Sequence, residues 1–413
     1  MNGIVIVGGG QAGHQLAVSL RAEGYDRPIT IVEAEPQLPY QRPPLSKDFL
    51  TANDGTLDLA FVELGQYAED RIEVLAGVRV ALIDRAHREV VLDSGRRLAY
   101  DQLVLATGAR ARRPGVRGST LDGVHTLRSL ADAQRLRTKL SHVANVVVVG
   151  GGFIGLEFAS SAAQIGSRVI VLESGPRILR RSVSTHAAEF LTSEHIAHGV
   201  AIETHAVPTE FLGRNVNVTG VRLEGGSTLA ADLVVVGIGV EPNVELATDA
   251  GLEVDQGVVV DEQLRSSDDR IYAIGDVAWF KSDFAPGRGR VESVQNAVDQ
   301  ARCLARTLTG VPTGYHDLPW FWSQQAGHRL QIAGISTAAD AVRLRPTEDP
   351  SKFSVFCYRA DRLVAIESVD QPRIHMQARR LLAARISIPI ERVAEPELDL
   401  AAELEAHEGL LAR

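Results

Sequence analysis

One glycine-rich turn occurs twice in the chain, each time between a run of β-branched residues and a helical stretch. The first copy is Ile4-Val5-Ile6-Val7-Gly8-Gly9-Gly10-Gln11-Ala12-Gly13, which sets Gly8, Gly10 and Gly13 in the places of G-x-G-x-x-G. The short apolar run reads as a buried parallel strand. Residues 14–20 follow at helical spacing and lead to a second strand, Ile29-Thr30-Ile31-Val32, closing on Glu33. A strand–turn–helix–strand unit with a carboxylate about twenty residues after the last glycine is the pattern of a dinucleotide-binding turn. Gly8 permits the tight turn, Gly10 lets backbone approach a pyrophosphate, and Gly13 lets helix and sheet pack closely. Gln11 and Ala12 open a helix whose unpaired N–H groups suit phosphates, and Glu33 can accept hydrogen bonds from a ribose.

The second copy runs from Asn145 to Gly155, with Gly150, Gly152 and Gly155 in the same places and Phe153 and Ile154 opening the helix. Its second strand, residues 168–172, closes on Glu173. Two such units in one chain imply two dinucleotide sites, and two nucleotides meeting head to head suggest hydride transfer between them. Glu173 favours a free ribose 2′-hydroxyl and repels a 2′-phosphate, so NADH is expected over NADPH. Arg177, Arg180 and Arg181 lie close by in sequence, and one of them could reach a phosphate.

At 413 residues the chain is long enough for two or three domains. Its formal charge of -9 argues against nucleic acid as a main partner and against a polybasic membrane contact. Cys303 and Cys357 are far apart and form no C-x-x-C, so neither a redox dithiol nor a cysteine-rich metal site is expected. No basic leader and no apolar run of transmembrane length stand out. A soluble cytoplasmic protein is the expectation.

Between the fingerprints, residues 38–47 hold three prolines, which keep the loop stiff: a wall for a flat ligand, or simply a rigid connection. Residues 57–77 read as mixed and partly helical. Residues 79–92 and 97–100 read as short antiparallel strands, and residues 101–109 as a further buried strand ending on the small-residue turn Ala106-Thr107-Gly108. Residues 190–230 read as β-rich. The strand at 233–236 mirrors the one before Ala106, and Gly239 follows it. Residues 268–276 form a strand closing on Asp276, which could bond a polyhydroxylated chain, cap the long helix expected over 291–308, or both. From Pro319 the character changes. Trp320 and Trp322 stand together, alternating segments follow at 330–335, 341–345, 353–359 and 363–369, and helices are expected at 373–386 and 399–411. The fold class expected is α/β, with two Rossmann-like nucleotide-binding domains plus a C-terminal α+β domain.

Seven pieces stand in one order along nearly the whole chain: the two fingerprints, Tyr40-Gln41-Arg42-Pro43-Pro44-Leu45-Ser46-Lys47, Ala106-Thr107-Gly108, Ile274-Gly275-Asp276, Glu292-Ser293-Val294-Gln295-Asn296-Ala297 and Pro319-Trp320-Phe321-Trp322-Ser323. In this the chain resembles the FAD-containing ferredoxin reductases of bacterial oxygenase systems (the putidaredoxin reductase and biphenyl dioxygenase reductase type), within the glutathione-reductase-like flavoproteins. The resemblance implies an FAD domain at 1–110 and 240–318, an NADH domain at 111–239 and a C-terminal interface domain at 319–413. It assigns FAD to the first fingerprint, with Arg42, Pro43, Lys47, Ala106, Thr107, Gly108, Asp276, Val294 and Trp322 beside it, and NADH to the second. It implies that NADH reduces the flavin, which passes single electrons to a [2Fe–2S] ferredoxin feeding a haem-thiolate monooxygenase or a ring-hydroxylating dioxygenase. Lys47 and Glu157 are expected as an ion pair beside the reacting atoms, although Glu157 in a first helical turn also suits the helix dipole alone. The C-x-x-x-x-C of the disulfide-reducing relatives is absent. Trp320, Arg302 and Arg306 are candidates for docking the partner, with packed core or solvated helix face as the plainer alternatives. A monomer or weak dimer is expected. The same scaffold would also serve an NADH oxidase, a rubredoxin or monodehydroascorbate reductase, or an apoptosis-inducing-factor-like binding protein.

Overall fold

The first fingerprint strand, Gly3–Val7, is buried along its whole length and sits inside a parallel sheet ordered Ile72–Ala76, Ile29–Glu33, Gly3–Val7, Arg97–Leu105. In this computed structural model, which describes residues 2–52 and 57–411, the chain divides into two compact units. The first comprises Met1–Gln41, Asp58–Arg110 and Glu241–Pro319; the second comprises Arg42–Leu57, Ala111–Val240 and Trp320–Arg413.

In the first unit, Arg97–Leu105 is one strand of nine residues rather than two. Its polar start pairs antiparallel with Glu89–Leu92, while Leu103, Val104 and Leu105 pair in parallel with Ile271–Ala273. The pattern breaks at Asp101 because the strand passes there from a half-exposed edge into the core, not because the backbone turns. The helix Gln11–Ala22 buries Leu16, Ala17 and Leu20, and the helix Val294–Leu308 packs along it through Ala297, Ala301 and Leu304. Asp276 does not cap that long helix. It lies in the 3-10 turn Gly275–Val277, two short strands intervene, and Ser293 Oγ accepts the Asn296 N–H at 3.1 Å as the cap.

In the second unit a parallel sheet runs Val200–Glu203, Arg168–Leu172, Asn145–Val149, Leu233–Val236, Val124–Thr126. The β-rich reading of 190–230 fails at its start, because Thr185–Ala197 is a helix. Ser184 caps it, and Ala187, Ala188, Leu191 and His195 are buried along one face, a period of 3.6 that the polar residues between them obscure. Beyond residue 200 the strands are present, including the antiparallel set Pro208–Arg214, Asn217–Leu223, Thr228–Ala230. The C-terminal stretch forms a five-stranded antiparallel sheet ordered Trp320–Gln325, His328–Gly334, Arg362–Val369, Phe353–Arg359, Ala341–Arg345. The helices Pro372–Ala383 and Leu400–Leu411 follow it.

A buried carboxylate on that sheet meets the start of the Thr185–Ala197 helix. Glu367, wholly buried, accepts the Ser184 N–H at 2.8 Å and the Ser184 hydroxyl at 2.6 Å. Burial pushes the Glu367 carboxyl above its ordinary value of 4.5, outweighing those donors. The folded protein therefore holds this proton more tightly than the unfolded chain. Stability from it is complete below pH 4.5 and is lost as pH rises through the folded value. Glu367→Gln, which cannot ionise, should gain stability relative to the parent on going from pH 4.5 to an alkaline pH. Urea unfolding at the two pH values checks this; a constant difference would remove Glu367 as the titrating group.

Candidate functional site

The first glycine turn is held by backbone contacts that only glycine allows. Gly8 has φ 110°, and a Cβ there would lie 2.2 Å from the Ala106 carbonyl oxygen. A Cβ on Gly13 would lie 1.9 Å from the carbonyl oxygen of Gly8. Gly10 differs, since a Cβ there would meet nothing within 4 Å. Two of the glycines thus serve the chain's own packing, and the third borders open space where a phosphate backbone can approach. Glu33 closes the turn: Oε2 accepts the Gly9 N–H at 2.5 Å and Oε1 the Glu35 N–H at 2.8 Å. A carboxylate offers about four acceptor positions, so lone pairs remain for ribose hydroxyls.

Other expected residues gather in the same unit. Ala106, Thr107 and Gly108 follow the strand Arg97–Leu105, where the Thr107 hydroxyl donates to the Asn243 carbonyl and the Asn243 amide donates to the Thr107 carbonyl, both at 2.8 Å. Gly275, beside Asp276, lies against the fingerprint helix, its Cβ position 3.1 Å from Ala12 Cβ, and its N–H donates to Gln300 Oε1 at 2.7 Å. The Asp276 carbonyl accepts from Arg290 at 3.2 Å. Val294 is the first residue of its helix, and Arg302 and Arg306 lie one turn apart on that helix's exposed side.

The second turn repeats the construction. Gly150 has φ 107°, a Cβ on Gly155 would lie 2.3 Å from the Gly150 carbonyl oxygen, and Gly152 is open but for an atom 3.8 Å away. Glu173 accepts the Gly151 N–H at 2.9 Å and the Gly175 N–H at 2.7 Å. Arg177 turns its guanidinium to the carbonyls of Ile178, Arg180 and Val183. That arginine is committed to its own loop, while Arg180 lies beside Gly175, its Nε 3.8 Å from where a Cβ on that glycine would stand. Gly239 presents its carbonyl to the Arg112 N–H at 3.0 Å. Phe153 packs its ring 4.5 Å from that of Phe321, while Ile154 stays 46% exposed at the helix start.

The same unit carries a buried ionic cluster. Lys47 Nζ stands 2.6 Å from Glu157 Oε2, with the side chains 14% and 3% exposed. The Ser46 hydroxyl donates to that oxygen at 2.6 Å, and the Ser323 hydroxyl donates to Oε1 at 2.6 Å. Lys47 follows the 3-10 turn Pro43–Ser46 and also donates to the Pro43 carbonyl at 3.1 Å, while Arg42 donates to the Arg128 carbonyl at 2.9 Å. Trp322 has two cations near its ring, Lys47 at 5.3 Å and Arg329 at 5.8 Å from the centroid. Trp320 is half-buried under Arg379, 4.2 Å away, and beside His375. Sequence reasoning passed over Ser46, Asn243, Ser323 and Gln325. Ser46 and Ser323 stood inside the quoted motifs, but hydroxyls among prolines and tryptophans carry no signal of their own.

Cys303 and Cys357 are each buried and free, and burial pushes the Cys303 thiol up to about 11 and that of Cys357 higher still. Neither presents a reactive thiolate. Among the described residues no helix is long and apolar enough to cross a membrane.

The chain is similar to known proteins over nearly its whole length. The pyridine nucleotide-disulphide oxidoreductase family model matches residues 2–301, and the reductase C-terminal model matches residues 320–404. Rhodocoxin reductase of Rhodococcus erythropolis is 43% identical over 404 residues, covering 98% of this chain and 95% of that protein. Rubredoxin-NAD(+) reductase of Pseudomonas putida is 42% identical over 370 residues, covering 90% of this chain and 96% of that protein. The crystal structure of the ferredoxin reductase for the CYP199A2 system from Rhodopseudomonas palustris matches with a TM-score of 0.95 at 42% identity, over 97% of this chain and 99% of that one.

Removing one partner of a buried ion pair leaves an uncompensated charge, at a cost of about 3 kcal/mol. Lys47→Met should therefore destabilise the protein by about that amount, and Lys47→Met with Glu157→Gln should recover most of it. Denaturant unfolding of the three proteins measures both; equal loss in single and double variants would deny the pair its energetic role.

Proposed function

The chain belongs to the pyridine nucleotide-disulphide oxidoreductase family, and we propose that it passes electrons from NADH through FAD to a [2Fe–2S] ferredoxin that feeds an oxygenase. The observation that carries this reading is the open glycine turn closed by a carboxylate, present in each of the two units. Both turns leave room at the middle glycine and keep acceptor lone pairs on the acidic residue, which fits one dinucleotide apiece. In this reading residues 1–110 and 240–318 hold FAD, 111–239 hold NADH, and 319–413 meet the partner.

Bound FAD supplies the exchange between a two-electron donor and a one-electron acceptor. The chain's own residues bind and orient. Gly10, Gln11 and Ala12 offer backbone N–H groups to the FAD phosphates, and Glu33 accepts from its ribose. Asp276 and the start of the Val294 helix hold the remainder, with Ala106, Thr107 and Gly108 as walls. Gly150, Gly152, Phe153, Ile154, Gly155, Glu173 and Gly239 receive NADH. Lys47 and Glu157 fix a charged hydrogen-bonding group for the hydride step. With both cysteines buried and unreactive, electrons leave without a dithiol. Arg302, Arg306 and Trp320 are the residues proposed to meet the ferredoxin, and the chain acts as a monomer or weak dimer.

The likeness to a rubredoxin-NAD(+) reductase favours a second reading, in which the acceptor is a rubredoxin. The purified protein, NADH and cytochrome c, with either iron–sulfur ferredoxin or rubredoxin, decide between them. Electron flow that requires ferredoxin and saturates with it is the expected result. Flow through rubredoxin alone, or rapid oxygen uptake with no protein acceptor, would replace the reading. Glu173→Ala should lower the ratio of kcat/KM for NADH over that for NADPH by about tenfold, the worth of one charge-assisted contact. An unchanged ratio would move cofactor choice elsewhere.

A further inference from the structure

The strand Trp320–Gln325 meets the second fingerprint helix in matched register. Phe321 packs on Phe153, the Ser323 hydroxyl reaches Glu157, and the Ala326 N–H donates to Ser160 Oγ at 3.0 Å. Four helical residues advance about 6 Å and two strand residues about 6.7 Å, so Phe153 and Glu157 face Phe321 and Ser323 without strain. Alternation along the strand then places Gln325 on the same side as Ser323, and both are buried.

Beyond Ser323 the hydrogen bonds continue inward. Gln325 Nε2 donates to Ser323 Oγ at 3.0 Å, and Gln325 Oε1 stands 2.8 Å from His195 Nε2. An amide oxygen only accepts, so His195 carries its proton on Nε2. Its Nδ1 is buried with no partner among the described residues, and burial holds the ring's pKa below its ordinary value, so the ring is neutral. Each donor in the series points the same way: His195 to Gln325, Gln325 to Ser323, Ser323 to Glu157. Ser323, already accepting from Gln325, has one hydroxyl proton, and it goes to Oε1. Lys47 and Ser46 occupy Oε2. The series fixes which carboxylate oxygen faces the ammonium group.

We propose that Ser323 and Gln325, backed by His195, are positioning residues that act through Glu157 to hold the Lys47 ammonium group in place for reduction of the flavin by NADH. This rests on the reading above that Lys47 and Glu157 serve that step.

The test is a double-mutant cycle on the FAD-loaded enzyme, following flavin reduction by saturating NADH in a stopped-flow instrument. Denaturant unfolding also measures the stability of Ser323→Ala, Lys47→Met and their double variant. The losses should be non-additive if Ser323 acts on Lys47 through Glu157, and additive if it does not. Ser323→Ala should slow reduction by about tenfold, the worth of one hydrogen bond to a charged group. Ser323→Thr, which keeps the hydroxyl, should stay within about twofold of the parent. In a Glu157→Gln background, Ser323→Ala should have no further effect beyond about twofold, because its route is already cut. If Ser323→Ala fails to fold, Gln325→Met, which leaves the hydroxyl but frees its direction, takes its place in the same cycle. A variant that slows reduction equally in both backgrounds, or that matches the parent while Glu157→Gln is slow, overturns the proposal. If Glu157→Gln itself reduces at the parent rate, the reading of the Lys47–Glu157 pair falls, and the proposal with it.

Discussion

A carboxylate buried as deeply as Glu157 must have each oxygen matched by donors, because an unpaired charge out of water costs several kcal/mol. The donors come from two remote parts of the chain, Ser46 with Lys47 and Ser323, all meeting on one helix of the second fingerprint. That requirement ties the proline-rich segment and the C-terminal sheet to the nucleotide-binding helix. Pro43 and Pro44 stiffen the short turn that delivers Ser46 and Lys47, and the Pro43 carbonyl accepts a further hydrogen bond from Lys47. Glu367 on Ser184 and Gln325 on His195 fasten the same C-terminal sheet to a second helix.

The glycine turns obey a different constraint, the close approach of backbone to backbone. Gly8 sits against the carbonyl of Ala106 and Gly150 against that of Gly237. In both units the turn thus depends on a second strand end, reached much later in the chain. In both cases the contact is with backbone atoms at that strand's end.

Much of the fold was legible because its signals are local. The fingerprints, the C-terminal strands and the helices after them follow from spacing within about ten residues. Errors arose where the deciding partner was distant. Arg97–Leu105 was split because its two halves pair with different neighbours in opposite senses. The β-rich reading of 190–230 failed over its first residues because the helix Thr185–Ala197 spaces its buried Ala187, Ala188, Leu191 and His195 among polar residues, and what His195 meets is the distant Gln325. Asp276 was offered a cap that belongs to Ser293.

The sequence by itself determined the two dinucleotide turns, the acidic residues that close them and the missing dithiol, since glycine position, carboxylate position and cysteine spacing act over short stretches of chain. Only the tertiary structure decided which hydroxyls serve Glu157, that Arg177 is spent on its own loop, and that Gln325 and His195 stand behind Ser323. A period of two tells which face of a strand is buried. What that face meets is set by a helix more than a hundred residues away, and hydrogen bonds form with whatever the fold brings within about 3 Å.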